Sequence, residues 1–486
     1  MTAKTEPGLV TRERRLANLR ATLGRSASSG GSESPARPPI AGRRPDALPS
    51  RLAAALGGEV QRRSNGTLVM IESPPTSVPL DRHRLARLPG HPAADVPLLC
   101  LDTETTGLAT AAGTLAFLVG LGWWEGDVFR QLQLLLPDHA DEPAMLDELR
   151  ARIPDGSWLV TYNGRGFDWP LLVARYRMAG WPPPRHAGHL DLLSLVRRVF
   201  RHRLDDARLR TVETELLGIG RHADVGGWEI PSIYLDVLKG GPIAPLGAVV
   251  RHNEADVRAL ATLLSHVERG YVERSDRQRA PRGDLAGLAR AYVRERRELD
   301  ALDCLDDALV APSPARDPFG AAGPPPSEPI DDAWWSPGTN ADFGGSAATQ
   351  RRAGWRSWDV PVARPARTVR PGATAWDGAG RWSDERIVAE RARILRRLGR
   401  YREAAEAWEA AAAAGGGIGV VAWIEVAKLR EHRLRDPQGA LVATQAAWHA
   451  AERSRRLGRP LPHLESDLLV RGRRLRARVE RYSART

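Results

Sequence analysis

The chain has 486 residues, long for one domain, with 42% apolar residues and a formal net charge of +12. Its two cysteines, Cys100 and Cys304, cannot supply a disulfide framework or a thiolate zinc site, and no apolar run is long enough to span a membrane. The arginine-rich N-terminus lacks the apolar segment of a secretory signal, so a soluble cytoplasmic protein with no membrane partner is expected. The basic balance suits a polyanionic partner such as nucleic acid. Only three lysines occur (Lys4, Lys239, Lys428), however, and G+C-rich coding of arginine gives the same balance.

Residues 1 to about 50, with Ser26-Ala27-Ser28-Ser29-Gly30-Gly31-Ser32 at their centre, read as a disordered basic tail. Residues 51–95 lead in to the first folded domain. Within them Gly66-Thr67-Leu68-Val69-Met70-Ile71-Glu72 predicts a strand that Pro74-Pro75 ends. Residues 96–270 carry the strongest order. Apolar runs at 97–103, 114–124 and 128–136, separated by a few residues such as Glu125-Gly126-Asp127, predict an antiparallel meander. A helix follows from Glu142 to Ile153, with Met145, Leu146 and Leu149 on one face, then a strand at 157–162. Helix and strand alternate to about 200, and mostly helix continues to 270. This pattern gives a mixed α/β layered domain.

Residues 271–311 read as a helical, repeat-like segment. Residues 312–383, rich in Pro, Gly, Ala and Trp, read as a flexible linker, with Trp334-Trp335 as possible docking points. Residues 384–486 are helical and repetitive. Leu398-Gly399-Arg400-Tyr401 through Ala404 has an echo 36 residues on, where Leu434 matches Leu398 and Ala440 matches Ala404, and a third echo lies at Leu299–Leu305. Small residues at fixed places and a period near about 34 resemble the tetratricopeptide repeat, against the alternative of an ordinary helical bundle. A protein partner is expected on that region.

The chemistry concentrates in Leu98-Leu99-Cys100-Leu101-Asp102-Thr103-Glu104-Thr105-Thr106-Gly107. A spacing of two on a strand turns Asp102 and Glu104 to one face. Two acids at the end of a buried strand are costly without a positive charge between them, which a divalent metal supplies. Asp168 follows a strand and the turn Asn163-Gly164-Arg165-Gly166-Phe167, where it is either a further ligand or a helix N-cap. His252 and Asp256 lie four apart on a helical pattern and share a face.

Asp-x-Glu-Thr-Thr-Gly, then Tyr162-Asn163-Gly164-x-x-Phe167-Asp168, then His252-Asn253-x-x-Asp256 resembles the DEDD superfamily of 3′→5′ exonucleases on the RNase H-like fold. Gly113-Thr114, Phe117–Gly122, His189–Leu193, Val212-Glu213, Leu217-Gly218 and Gly226–Pro231 resemble its YprB-like branch, over residues 96 to about 270. The resemblance implies an RNase H-like mixed sheet, an antiparallel three-strand meander plus parallel strands flanked by helices, with a separate helical C-terminal region. It implies that Asp102, Glu104, Asp168 and Asp256 hold two Mg²⁺ or Mn²⁺ ions, and that His252 is the general base. The His-to-Asp spacing of four is that of the superfamily's tyrosine branch, whereas its histidine branch uses five. It further implies that Thr105, Asn163 and Tyr162 meet the substrate, a single-stranded 3′ end of DNA or RNA. Trp169 and Arg165 are further stacking candidates, against the alternative that aromatics beside a strand end, Tyr162 included, belong to the core.

Overall fold

The computed structural model describes residues 47–107, 113–221, 224–310, 384–413 and 418–483. The expected tail up to residue 46 and the expected linker at 312–383 lie outside the described residues. The last part of the stretch read as tail begins a helix instead, α1 (Ala47–Leu56), because Leu48, Leu52 and Leu56 recur every four residues.

Seven strands form one sheet: β1 (Glu59–Arg63), β2 (Gly66–Ser77), β3 (Leu98–Thr105), β4 (Ala116–Glu125), β5 (Val128–Leu135), β6 (Trp158–Thr161) and β7 (Gly188–Asp191), in the order β1-β2-β5-β4-β3-β6-β7. The expected meander is β3-β4-β5, and β6 and β7 add in parallel beyond β3. The fold is therefore the mixed α/β arrangement that the sequence pattern implies. The β1–β2 hairpin extends the other edge, with β2 antiparallel to β5.

One strand boundary differs from expectation. β2 does not end at Pro74-Pro75 but continues to Ser77, with its register broken between Ser73 and Thr76. β1 pairs only with residues 66–70, so the outer side of β2 has no neighbouring strand at the prolines. Residues without an N–H are tolerated at such an irregular edge.

The helices of the sheet domain are α2 (Glu142–Arg152), α3 (Asp168–Met178), α4 (Leu192–Val199), α5 (Ile230–Leu238) and the 28-residue α6 (Ala244–Tyr271). α6 lies across β3, β4 and β5. Two features fix its position. Gly120 and Gly122 of β4 let it approach closely: a Cβ at Gly120 would stand 2.3 Å from Asn253 Oδ1, and one at Gly122 2.8 Å from Val257 Cγ1. The second feature is a pair of buried glutamines on β5. Gln131 Nε2 donates to the Glu254 carbonyl at 2.8 Å, and Gln133 Nε2 donates to the Val250 carbonyl at 2.8 Å and to Asn253 Oδ1 at 2.9 Å. Buried amides need partners, so these bonds set the helix both along and around its axis.

Beyond α6 the described residues form α7 (Arg282–Arg294), α8 (Glu298–Val310), α9 (Asp384–Arg397), α10 (Tyr401–Ala413), α11 (Gly419–His432), α12 (Pro437–Arg456) and α13 (Pro462–Ser483). From α9 onward, each described helix packs on its successor. Left-handed residues stand two positions before α8, α10 and α12, at Arg296, Gly399 and Arg435. The sequence echoes that begin at Leu299, Leu398 and Leu434 lie beside these turns. One apolar core runs from the sheet through Val196 and Val199 of α4 and Phe200 just after it to Leu285 and Leu288 of α7, and on to Trp408 of α10. No described helix is long and apolar enough to cross a membrane.

Candidate active site

β3 is the strand at which the sheet changes from antiparallel to parallel neighbours, and its carboxyl end opens into the crevice where such sheets carry their sites. Leu98–Leu101 are buried, and the exposure of β3 rises at its last four residues, Asp102–Thr105. Asp102 pairs across the ladder with Gly120, so the acid and the glycine lie beneath the same part of α6. Asn253, completely buried on that helix, donates from Nδ2 to Asp102 Oδ2 at 2.8 Å.

His252, next to Asn253 in the chain, and Asp256, about one turn further on, reach the same crevice. Nε2 of His252 lies 3.9 Å from Glu104 Oε1 and 3.6 Å from Asp256 Oδ2. Glu104, His252 and Asp256 each offer a ligand atom, all within 4.8 Å of one another. Asp168, the first residue of α3, accepts from Thr103 Oγ1 at 2.5 Å; the N-cap position belongs to Phe167. Of the predicted residues, Glu104, His252 and Asp256 thus form the close cluster, while Asp102 and Asp168 stand beside it within electrostatic reach.

That crowding shifts proton affinities. Burial, then repulsion from Asp256, Asp168 and Glu104, pushes the Asp102 carboxyl well up, against the bond from Asn253. Glu104 is pushed well up by burial, Asp256, Asp168 and Asp224. Burial lifts Asp168 to about 6, against its bonds at Thr103. Several buried acids that resist ionising together, with oxygen donors converging and one imidazole among them, suit a hard divalent cation.

Three residues of the site were not singled out from the sequence or were given no role there. Asp224 Oδ1 lies 2.7 Å from His252 Nδ1. A carboxylate only accepts, so Nδ1 carries the proton and Nε2 of the neutral ring is left as an acceptor facing Glu104 and Asp256. Arg221 is the second. Its guanidinium bonds Glu213 Oε1 at 2.7 Å and Asp256 Oδ1 at 2.5 Å, and stands 3.6 Å from Asp224 Oδ2. Burial depresses the Arg221 pKa, but Asp256 and Glu213 outweigh it and hold the group charged. Glu213 is itself pushed up by burial and drawn back by Arg221. Burial also opposes ionisation of Asp224, but His252 and Arg221 prevail and hold it below the usual carboxylate range. Asn253 is the third, legible only as a polar residue unfavoured inside a helix.

The three predicted substrate contacts have other local partners. Thr105 Oγ1 donates to the Gly107 carbonyl at 2.6 Å. The Tyr162 ring packs against the main core and its hydroxyl donates to the Ala207 carbonyl at 2.7 Å. Asn163 is exposed with φ +66°, its N–H held by Asp191 Oδ1 at 2.8 Å, and Gly164 is required because a Cβ there would stand 2.5 Å from Thr161.

Residues 99–268 match the model of the RNase_H superfamily, a span that contains every acid of the site and His252. The chain is also similar to the uncharacterized protein YprB of Bacillus subtilis (strain 168), at 37% identity over 180 residues. That alignment covers 37% of this chain and 43% of the relative, so less than half of either is compared.

Proposed function

We propose that the chain is a metal-dependent nuclease that hydrolyses phosphodiester bonds, acting as a DEDD-type 3′→5′ exonuclease on DNA or RNA. The observation that carries this reading is the convergence of Glu104, His252 and Asp256 at the carboxyl end of β3, with Asp102 and Asp168 alongside. Asp102, Glu104, Asp168 and Asp256 would hold Mg²⁺ or Mn²⁺ as a pair, which when bound neutralises charge on the phosphate and makes water more acidic. His252 then receives the proton of the attacking water at Nε2, while Asp224 holds the Nδ1–H and fixes the ring. Asn163 offers its exposed side chain to the terminal nucleotide. Thr105 and Tyr162 act through the segments they brace. The C-terminal helices, with their repeated turn, form a tetratricopeptide-like region.

The test is cleavage of 5′- and 3′-labelled DNA and RNA with Mg²⁺, Mn²⁺ or EDTA. Metal-dependent shortening from the 3′ end is expected, and an Asp102→Ala/Glu104→Ala variant should lose it. Unchanged cleavage by that variant refutes the reading, and cleavage of a circular strand replaces it with an RNase H-type endonuclease. One observation favours a second reading, a nucleic-acid-binding or scaffold protein with a vestigial nuclease core: Arg221 already gives the acids a counter-charge. Thermal unfolding with and without Mn²⁺ separates the two, because a cation bound only by the folded chain raises Tm.

A further inference from the structure

Residues 437–483, the helices α12 and α13 with their connection, contain ten arginines against four acids. About a tenth of the chain therefore carries a charge excess equal to half of the +12 total. Some arginines of the sheet domain are answered by a carboxylate, as Arg203 is by Asp284 and Arg84 by Asp276, while others, such as Arg177, Arg201 and Arg251, are exposed and scattered without one among the described residues. The last hairpin gathers such arginines on one element. Arg453, Arg456 and Arg459 at its turn and Arg473 and Arg476 on α13 are exposed, and none has a carboxylate partner among the described residues. Among the described residues, Arg481 bonds only a carbonyl of its own helix, Ala477, at 3.0 Å.

Further positive charge is fixed in place beside them. Glu431 of α11, nearly buried, accepts from Arg471 at 2.7 Å and from Arg474 at 2.7 Å, with Arg478 at 3.9 Å. Three guanidiniums share one carboxylate, so two charges remain uncompensated while their side chains are already ordered. Leu468 and Leu475 turn α13 inward, and Arg473 and Arg476, three residues apart, share the opposite face. At about 1.5 Å per residue, the six arginines of α13, from Arg471 to Arg481, extend this charge along about 15 Å of the helix.

We infer that the α12–α13 hairpin is a docking surface for the phosphate backbone of a nucleic-acid strand. The chemistry fits: guanidiniums bind phosphate oxygens in pairs, and a surface without partnered acids gains most by neutralising a polyanion. The inference rests on the nuclease reading for its choice of polyanion, and assigns to this chain a strand-holding surface outside the crevice at β3.

The experiment uses the full-length protein in EDTA, so that nothing is cleaved, and fluorescence anisotropy of a fluorescein-labelled 30-nucleotide DNA or RNA of mixed sequence. The Arg453→Ala/Arg456→Ala/Arg473→Ala/Arg476→Ala variant should bind at least about tenfold more weakly at 100 mM KCl. Its log–log salt slope should fall by about 2 to 3, at about 0.7 per lost contact on a single strand. If that variant has a lowered Tm, Arg473→Glu/Arg476→Glu, confined to two exposed positions, serves in its place. Unchanged Kd and slope overturn the inference. So does loss of sedimentation with phosphatidylserine vesicles but not of nucleic-acid binding, since exposed Leu469 and Val470 beside the arginines would then mark a lipid surface. A wild-type chain that binds strands through these arginines but cleaves nothing with Mn²⁺ sustains the surface and sinks the nuclease reading. Cleavage with unaltered binding by the variant does the reverse.

Discussion

Replacing Gly120 by alanine tests whether the contact between β4 and α6 sets the site. The new Cβ would stand 2.3 Å from Asn253 Oδ1 and 2.8 Å from Val257 Cγ2, where ordinary contact begins at 3.4 Å. Asn253 or the helix must therefore retreat by about 1 Å (3.4 less 2.3). Overpacking of this kind costs about 1–3 kcal/mol. Displacing Asn253 also strips a bond from Gln133 and from Asp102, at about 1–3 kcal/mol for a buried group left unpaired. Gly120→Ala should thus lower unfolding free energy by about 2–6 kcal/mol, read by urea titration of the full chain. Moving His252 and Asp256 by about 1 Å relative to β3 should reduce Mn²⁺-dependent cleavage by about 100-fold. In an Asn253→Ala background the same change should cost less, with the two losses short of additive by about 1 kcal/mol. A Gly120→Ala protein within about 0.5 kcal/mol of the wild type and equally active refutes the account.

Arg221→Gln removes the cation bonded to Asp256 and Glu213, and should destabilise the metal-free protein by about 3 kcal/mol. Mn²⁺ should then raise the Tm of the variant by more than that of the wild type; equal increments show that the guanidinium does not compete with the metal. Asp224→Ala should lower kcat by about 10- to 100-fold at little changed KM, with Asp224→Asn milder because its carbonyl still accepts from Nδ1; identical Ala and Asn variants exclude a role in holding the ring. His189 supplies a pH dependence. Burial, then His186 and Arg165, lower its pKa from 6.5 to about 4. The folded chain thus binds fewer protons than the unfolded one between these values. Its stabilisation is complete above pH 6.5 and is lost as pH falls towards 4, by about 2 kcal/mol after allowance for solvent access. Asp168, raised to about 6, slopes the other way, so the effect is read as the difference between wild type and His189→Gln in urea titrations at pH 5 and pH 7.5. A His189→Gln protein that keeps the wild-type slope rules this residue out as its source.

Much of the sheet was legible because long apolar runs with short turns leave few alternatives, and β3, β4, β5 and β6 stand within two residues of their expected places. β1 was not legible from hydropathy: Glu59-Val60-Gln61-Arg62-Arg63 is an edge strand with one apolar residue. Its two-residue loop is Ser64-Asn65, closed by the Arg63–Gly66 pair, with Gly66 at φ +146°. In the site, Asp102, Glu104, His252 and Asp256 were readable because strand and helix periods are local rules. Arg221 and Asp224 were not, since they reach the crevice from an irregular segment whose course is set by tertiary contacts. Gln131 and Gln133 were visible as polar letters in an apolar run, but their partners are helix carbonyls more than a hundred residues away.

The family match stops at residue 268, whereas the hydrophobic interior does not. At Gly287 α7 presses so closely on α4 that a Cβ would stand 2.6 Å from the Arg198 carbonyl oxygen, and Leu285 and Leu288 complete the interior that Val196 and Phe200 begin. The sheet domain is accordingly not a portable module. Cutting the chain where resemblance ends would expose an oily seam along α4, so a soluble minimal version must run at least through Val310. The same seam makes the two helices one fit: a larger residue in place of Val199 would need matching room on α7, where Gly287 already lies against it.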